Sequence, residues 1–201
     1  MRTTIGISVV VAAVTAAACG SNSPAPAASP PANAPVTSSE VVGTVPRNAL
    51  VTLVPVPEPP LPDQPALMDQ YAKQFVPSTL YVRVGQPVEF RNSEDMPHNV
   101  TVLRRGSGTE VFNVSTEPQQ KYVHTFERIG QFDVTCDIHP GMQATLIAAP
   151  GDLATIAGDN GQFAFPNVKP GSYKLSLNFE GRTIEQPLDV HGPRTEVRIN
   201  P

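Results

Sequence analysis

Cys136-Asp137-Ile138-His139-Pro140-Gly141-Met142 places a thiolate, an imidazole and a thioether at positions 1, 4 and 7 of one short loop. A second imidazole stands upstream, in Pro97-His98-Asn99-Val100. A fold that uses all four side chains together must bring the start of one strand and the end of another to the same pole. Two imidazoles, a thiolate and a weak thioether are the donor set that suits a mononuclear electron-transfer copper. The sulfurs favour Cu(I) and the imidazoles accept Cu(II), so one geometry can serve both oxidation states. Zinc is the runner-up metal, since it takes Cys and His but rarely Met.

The flanking pattern is that of strands. Phe132, Val134 and Cys136 alternate with Asp133 and Thr135, so the cysteine shares the inward face of its strand. Similar short runs occupy 73–77, 79–84, 87–92, 98–103, 111–114, 122–126 and 143–148, with Leu80, Val82 and Val84 on one face. Turn signals at Gly85, Gly106 to Gly108 and Gly130 separate them, and no helical period intervenes. The expectation is an all-β sandwich. Two further runs, 41–45 and 49–54, flank a Pro46-Arg47-Asn48 turn and read as a pair of strands, followed by a proline-rich connection over 55–65. Five more strands are expected at 155–157, 162–165, 173–179, 183–190 and 195–199.

Residues 1–19 have the pattern of an export signal: Arg2, then an apolar run from Ile5 to Val14 that is too short to span a bilayer. Ala16-Ala17-Ala18-Cys19-Gly20 resembles a bacterial lipoprotein box, with Ala16 where such boxes usually carry Leu. Lipidation of Cys19 would anchor the mature chain to a membrane at the cell envelope or periplasm. Cleavage after Ala-x-Ala is the other reading. Residues 20–39, rich in Ser, Ala and Pro, are expected to be a disordered tether. Cys19 and Cys136 are the two cysteines, and pairing them would join the signal boundary to a core strand end. Cys136 is therefore expected as a free thiol in an oxidising compartment, protected by a bound metal. A net charge of -4 with 16% charged residues offers no basic patch for nucleic acid.

From about Met68 to Ala149 the chain resembles the cupredoxins. The resemblance rests on Val-Gly-Gln-Pro-Val-Glu-Phe-Arg-Asn (84–92), Pro-His-Asn-Val (97–100), Thr125-Phe126 before Gly130, and an amicyanin-like Cys-x2-His-x2-Met loop. It implies a Greek-key sandwich over 66–150 with one type 1 copper. His98, Cys136 and His139 would be its equatorial ligands and Met142 its long axial one. It also implies that Asn99 ties the two ligand loops together. Residues 159–175, Asp-Asn-Gly-Gln-Phe-Ala-Phe-Pro-Asn-Val-Lys-Pro-Gly-Ser-Tyr-Lys-Leu, resemble a carboxypeptidase regulatory-like, transthyretin-like sandwich. That domain normally opens with two further strands, and Val41 to Val54 resembles them. One discontinuous sandwich, 40–57 plus 151–201, with the cupredoxin inserted, is the resulting expectation. The alternative assigns 40–57 to the cupredoxin.

Other groups weigh less. His124 and Glu127 are three apart on a strand and face opposite sides, so a shared zinc is not expected. Glu94 and Asp95 read as solvated carboxylates on a negative rim, and His191 as a solvated loop residue. The absence of His-x-His pairs argues against a multicopper oxidase, and no enzymatic role is expected. Ile138, Pro140 and Gly141 surround His139 with small or apolar surface, where redox partner proteins could dock transiently. The expected role is an extracytoplasmic one-electron carrier that meets the membrane only through its lipid. Copper delivery or storage is the alternative, and partner binding remains open for the second sandwich.

Overall fold

The computed structural model describes residues 37–199. The export signal, Cys19 and the tether up to residue 36 lie outside them. The described residues contain strands and no helix. β1 (Ser39–Thr44) and β2 (Leu50–Pro55) come first. They flank the expected turn, where Ala49 N–H donates to the Pro46 carbonyl and Asn48 takes a φ of 61°. The two do not pair with each other, because the turn carries the chain from one sheet into another.

The C-terminal strands are β12 (Leu153–Ile156), β13 (Gln162–Val168), β14 (Gly171–Phe179), β15 (Arg182–Val190) and β16 (Arg194–Arg198). β1 lies between β13, antiparallel, and β16, parallel. β2 lies between β12 and β14, antiparallel to both. The resulting sheets, β13-β1-β16 and β12-β2-β14-β15, enclose a core that includes Val41, Val51, Leu53, Phe163 and Leu175. Close approach is tight at the β12–β13 turn. Gly161 has a φ of +75°, and a Cβ there would collide with the Val45 carbonyl oxygen. Gly161→Ala is therefore expected to destabilise the chain by roughly 2 kcal/mol or more, read as a lower denaturant midpoint at unchanged slope.

Between β2 and β12 run β3 (Ala66–Tyr71), β4 (Gln74–Val76), β5 (Thr79–Arg83), β6 (Pro87–Asn92), β7 (His98–Arg104), β8 (Thr109–Thr116), β9 (Lys121–Thr125), β10 (Gly130–Thr135) and β11 (Gln143–Ala149). They form the sheets β4-β3-β6-β9 and β5-β11-β10-β7-β8. Alternation fills the space between them with Met68, Phe90, Val100, Val102, Phe132, Val134 and Leu146. Lys73, expected inside a strand, instead shares a tight turn with Ala72. Both take positive φ, 55° and 52°, which closes a β3–β4 hairpin.

A small apolar cluster of Leu50, Ile147 and Ala149, with Ile129, Ala154 and Ile156 against it, links strands from both pairs of sheets. The 55–65 connection is pinned by buried Arg83. Its guanidinium pairs with Glu58 Oε1 and donates to the Pro60 carbonyl, each at 2.7 Å. β7 and β10 are neighbours in one sheet, and Thr135 stands opposite Thr101. That register brings the start of β7, at His98, and the end of β10, before Cys136, to one pole.

Candidate metal centre

Cys136 follows β10 and continues the inward parity of Phe132 and Val134, with 6% exposure. The loop after it closes on itself. Cys136 N–H donates to the Met142 carbonyl at 3.1 Å, and Met142 N–H to the His139 carbonyl at 3.2 Å. Gly141 takes a φ of 84° in that closure. Cys136 Sγ lies 3.8 Å from His98 Nδ1 and 3.8 Å from His139 Nδ1, and the two nitrogens are 3.0 Å apart. A circle through three points with those sides has a radius of about 2.1 Å. Roughly 2.0 Å to nitrogen and 2.3 Å to sulfur are ordinary metal–donor distances, so one ion fits all three donors near their common plane. Two imidazole lone pairs cannot face each other at 3.0 Å without a proton or a cation between them, which is the chemistry such a site supplies.

His98 is fully buried, Met142 is 3% exposed, and His139 is half-buried beside Ile138, which is 51% exposed. Met142 packs in the same core cluster as Cys136. The far nitrogen of His98, Nε2, has no hydrogen-bond partner, and Glu94 Oε1 faces it at 3.6 Å. Burial lowers the His98 pKa, against the opposing pull of Glu94, and so keeps the ring a neutral donor. Glu94 is not the solvated carboxylate expected. Its side chain is 13% exposed and accepts the Lys73 N–H at 2.6 Å. The positive-φ turn at Ala72 and Lys73 delivers that amide, a contact between distant segments that residue spacing does not reveal. Asp95 and His191 are exposed as expected, and Glu127 is exposed as well.

Asn99 Oδ1 accepts the Asp137 N–H at 2.7 Å, directly linking the segments that carry His98 and Cys136. Behind it lies a buried relay that the sequence reading missed. Gln70 Nε2 donates to the Asn99 carbonyl at 3.1 Å, and Thr116 Oγ1 donates to Gln70 Oε1 at 2.7 Å. Asn92 Nδ2 lies 2.8 Å from both the Thr116 and Met96 carbonyls. The available signal was parity: Gln70 shares a face with Met68, and Asn92 with Phe90, so each is a polar residue at a core position.

His124 stands apart from the donor triangle. Its ring lies 4.7 Å from that of Phe112 and 4.8 Å from that of Phe126. Burial lowers its pKa from the usual 6.5. Above 6.5 the folded and unfolded chains are both neutral there. As pH falls below 6.5 the unfolded chain gains the proton first, so stability declines until the folded pKa is reached. His124→Phe is expected to remove this component, measured as a shallower loss of unfolding free energy between pH 6.5 and the acid limb.

Fold and donor set together define a mononuclear copper-binding β-sandwich domain. The pattern of the copper-binding proteins of the plastocyanin/azurin family matches residues 66–149. Over 75 residues the chain is 29% identical to amicyanin of Paracoccus versutus, covering 37% of this chain and 57% of that protein. Amicyanin of Paracoccus denitrificans is 29% identical over 86 residues, covering 42% and 66%. The chain thus spans less than two thirds of the length of these curated relatives. Among solved structures, an oxidised proline-to-alanine variant of amicyanin is similar at 25% identity and a TM-score of 0.40, covering 49% of this chain and 98% of that one. A purple cupredoxin from Nitrosopumilus maritimus is similar at 23% identity and a TM-score of 0.37, covering 42% and 99%. Residues 66–149 are thus similar to the copper-binding proteins of the plastocyanin/azurin family.

Proposed function

We propose that this chain is an extracytoplasmic carrier of single electrons. His98 Nδ1, Cys136 Sγ and His139 Nδ1 would hold one copper, with the Met142 thioether as a weaker fourth donor. The observation that carries the reading is the triangle of three converging donors with sides of 3.8, 3.8 and 3.0 Å at the end of a close-packed sandwich. Copper bound there would supply the Cu(II)/Cu(I) couple, and soft and borderline donors suit both states. Asn99 and the relay behind it hold the two ligand segments in register. A rigid donor set keeps the reorganisation accompanying each electron transfer small. His139, half-buried beside exposed Ile138, is the ligand through which a redox partner would exchange electrons, in a transient encounter.

The same proposal covers the rest of the chain. The 66–150 segment would be the copper domain, inserted in a carboxypeptidase regulatory-like sandwich of 40–57 plus 151–201. The exclusive pairing of β1 and β2 with β12, β13, β14 and β16 supports that division. Export by residues 1–19 and lipidation of Cys19 would place the carrier at the cell envelope, on the strength of the sequence signals. The test is an absorption spectrum of the copper-loaded protein during reductive titration. An intense visible thiolate-to-copper band that bleaches with a mild reductant and returns on reoxidation is expected. No band, with copper lost quickly to a weak chelator, would favour delivery or storage instead.

A further inference from the structure

The residue after the cysteine is an acid, and its carboxylate is tied into the sheet behind it. Asp137 Oδ2 accepts from Thr101 Oγ1 at 2.7 Å, and lies 2.8 Å from Asn99 Nδ2 and 3.2 Å from Asn113 Nδ2. Its own N–H is held by Asn99 Oδ1 at 2.7 Å. Thr101 and Asn99 are buried on β7, and Asn113 lies on β8. Backbone and side chain of one residue are thus fixed to two strands that do not carry the Cys136 loop. Three donors converge on that one oxygen, as they do on an acceptor-only carboxylate.

Resting on the copper reading above, we propose that Asp137 is a positioning residue that sets the redox preference of the site. Its side chain clamps the Cys136–Met142 loop, and its fixed negative charge beside the thiolate favours the oxidised form. Reduction brings one electron from the donor and lowers the net charge of the site by one. A neighbouring negative charge opposes that change and leaves the oxidised state favoured. A serine at this position could keep a hydrogen bond to Thr101 or Asn99 but would carry no charge. The amide link from Asn99 needs only the backbone of residue 137, so the side-chain effect is separable from it.

The carboxylate is solvent-exposed, which weakens its field by screening and high dielectric. The expected change on neutralising it is therefore about fivefold in the ratio of reduced to oxidised protein at a given potential. That is about 40 mV upward at 59 mV per tenfold for one electron.

The experiment is a redox titration of the copper-loaded full chain as wild type, Asp137→Asn and Asp137→Ser, followed at the thiolate-to-copper band. Both variants are expected to favour the reduced form by about fivefold over wild type while keeping the band. Asp137→Ser carries the test if Asp137→Asn does not fold. In the metal-free chain, amide hydrogen exchange over 137–142 is expected to be faster in Asp137→Ala than in Asp137→Ser. Wild-type and variant potentials that agree within twofold, with the band present, would overturn the role of Asp137 and leave the copper reading intact. A wild-type protein with no band would overturn the copper reading, and this inference with it.

Discussion

Cys136→Ser is expected to abolish the visible charge-transfer band and to lower copper affinity by more than about 100-fold. Loss of a group that merely supports a ligand already costs about 10- to 100-fold, and removing the donor itself costs more. Removing the thiolate takes away the anionic donor at the apex of the triangle, 3.8 Å from each ring nitrogen. What remains is a pair of imidazoles 3.0 Å apart and a thioether, a set that holds copper without a thiolate transition. The loop itself should survive the change. Its closure depends on the Cys136 N–H, the Met142 carbonyl and the Asn99–Asp137 link, none of which uses the sulfur. Competition titration with a chelator of known affinity, alongside far-UV circular dichroism, separates lost binding from lost structure. A variant that retains the wild-type band would mean that another group is the thiolate-like donor.

Leu53→Ala is expected to destabilise the sandwich of β1, β2 and β12 to β16 by about 2–5 kcal/mol, the range for truncating a fully buried leucine. Leu53 is fully buried, opposite Leu175 on β14 and Leu153 on β12. It belongs to a different core cluster from Phe90, Phe132 and Cys136. If the two cores are separate cooperative units, the copper band should remain at denaturant concentrations where the strand signal of the other sandwich has begun to fall. Unfolding of the copper-loaded variant, followed both at the band and by circular dichroism, checks this. A band that disappears in step with the circular dichroism would mean that the small cluster of Leu50, Ile147 and Ala149 couples the two into one unit.

Parity and turn chemistry made much of the architecture legible. Phe132, Val134 and Cys136 alternate inward as the sequence implies, and the strands over 87–92, 98–104 and 143–149 lie close to where their alternation places them. The candidate donor residues were legible for a different reason. Soft and borderline donors at fixed spacing are rare unless a metal uses them together, and the structure brings His98, Cys136 and His139 within one small triangle.

What sequence did not disclose are contacts set by which strands become neighbours. Glu94 looks like any loop carboxylate until the β3–β4 hairpin supplies the Lys73 amide and the 93–97 loop turns it toward His98. Asp137 looks like a solvated acid until Thr101 and Asn113 meet it from β7 and β8. Gln70 and Asn92 break the apolar alternation of their strands, and only the relay through Thr116 and Asn99 explains why burying them is tolerated. Hydrophobic period reports which face is buried. It does not report which polar partners wait there.

Whether one copper ion sits among His98, Cys136 and His139 is settled by an anomalous difference map from crystals of the copper-loaded protein, collected on either side of the copper absorption edge. A single strong peak per chain is expected within bonding distance of His98 Nδ1, Cys136 Sγ and His139 Nδ1. A peak elsewhere on the chain, or none at those three atoms in crystals that contain one equivalent of copper, would contradict it.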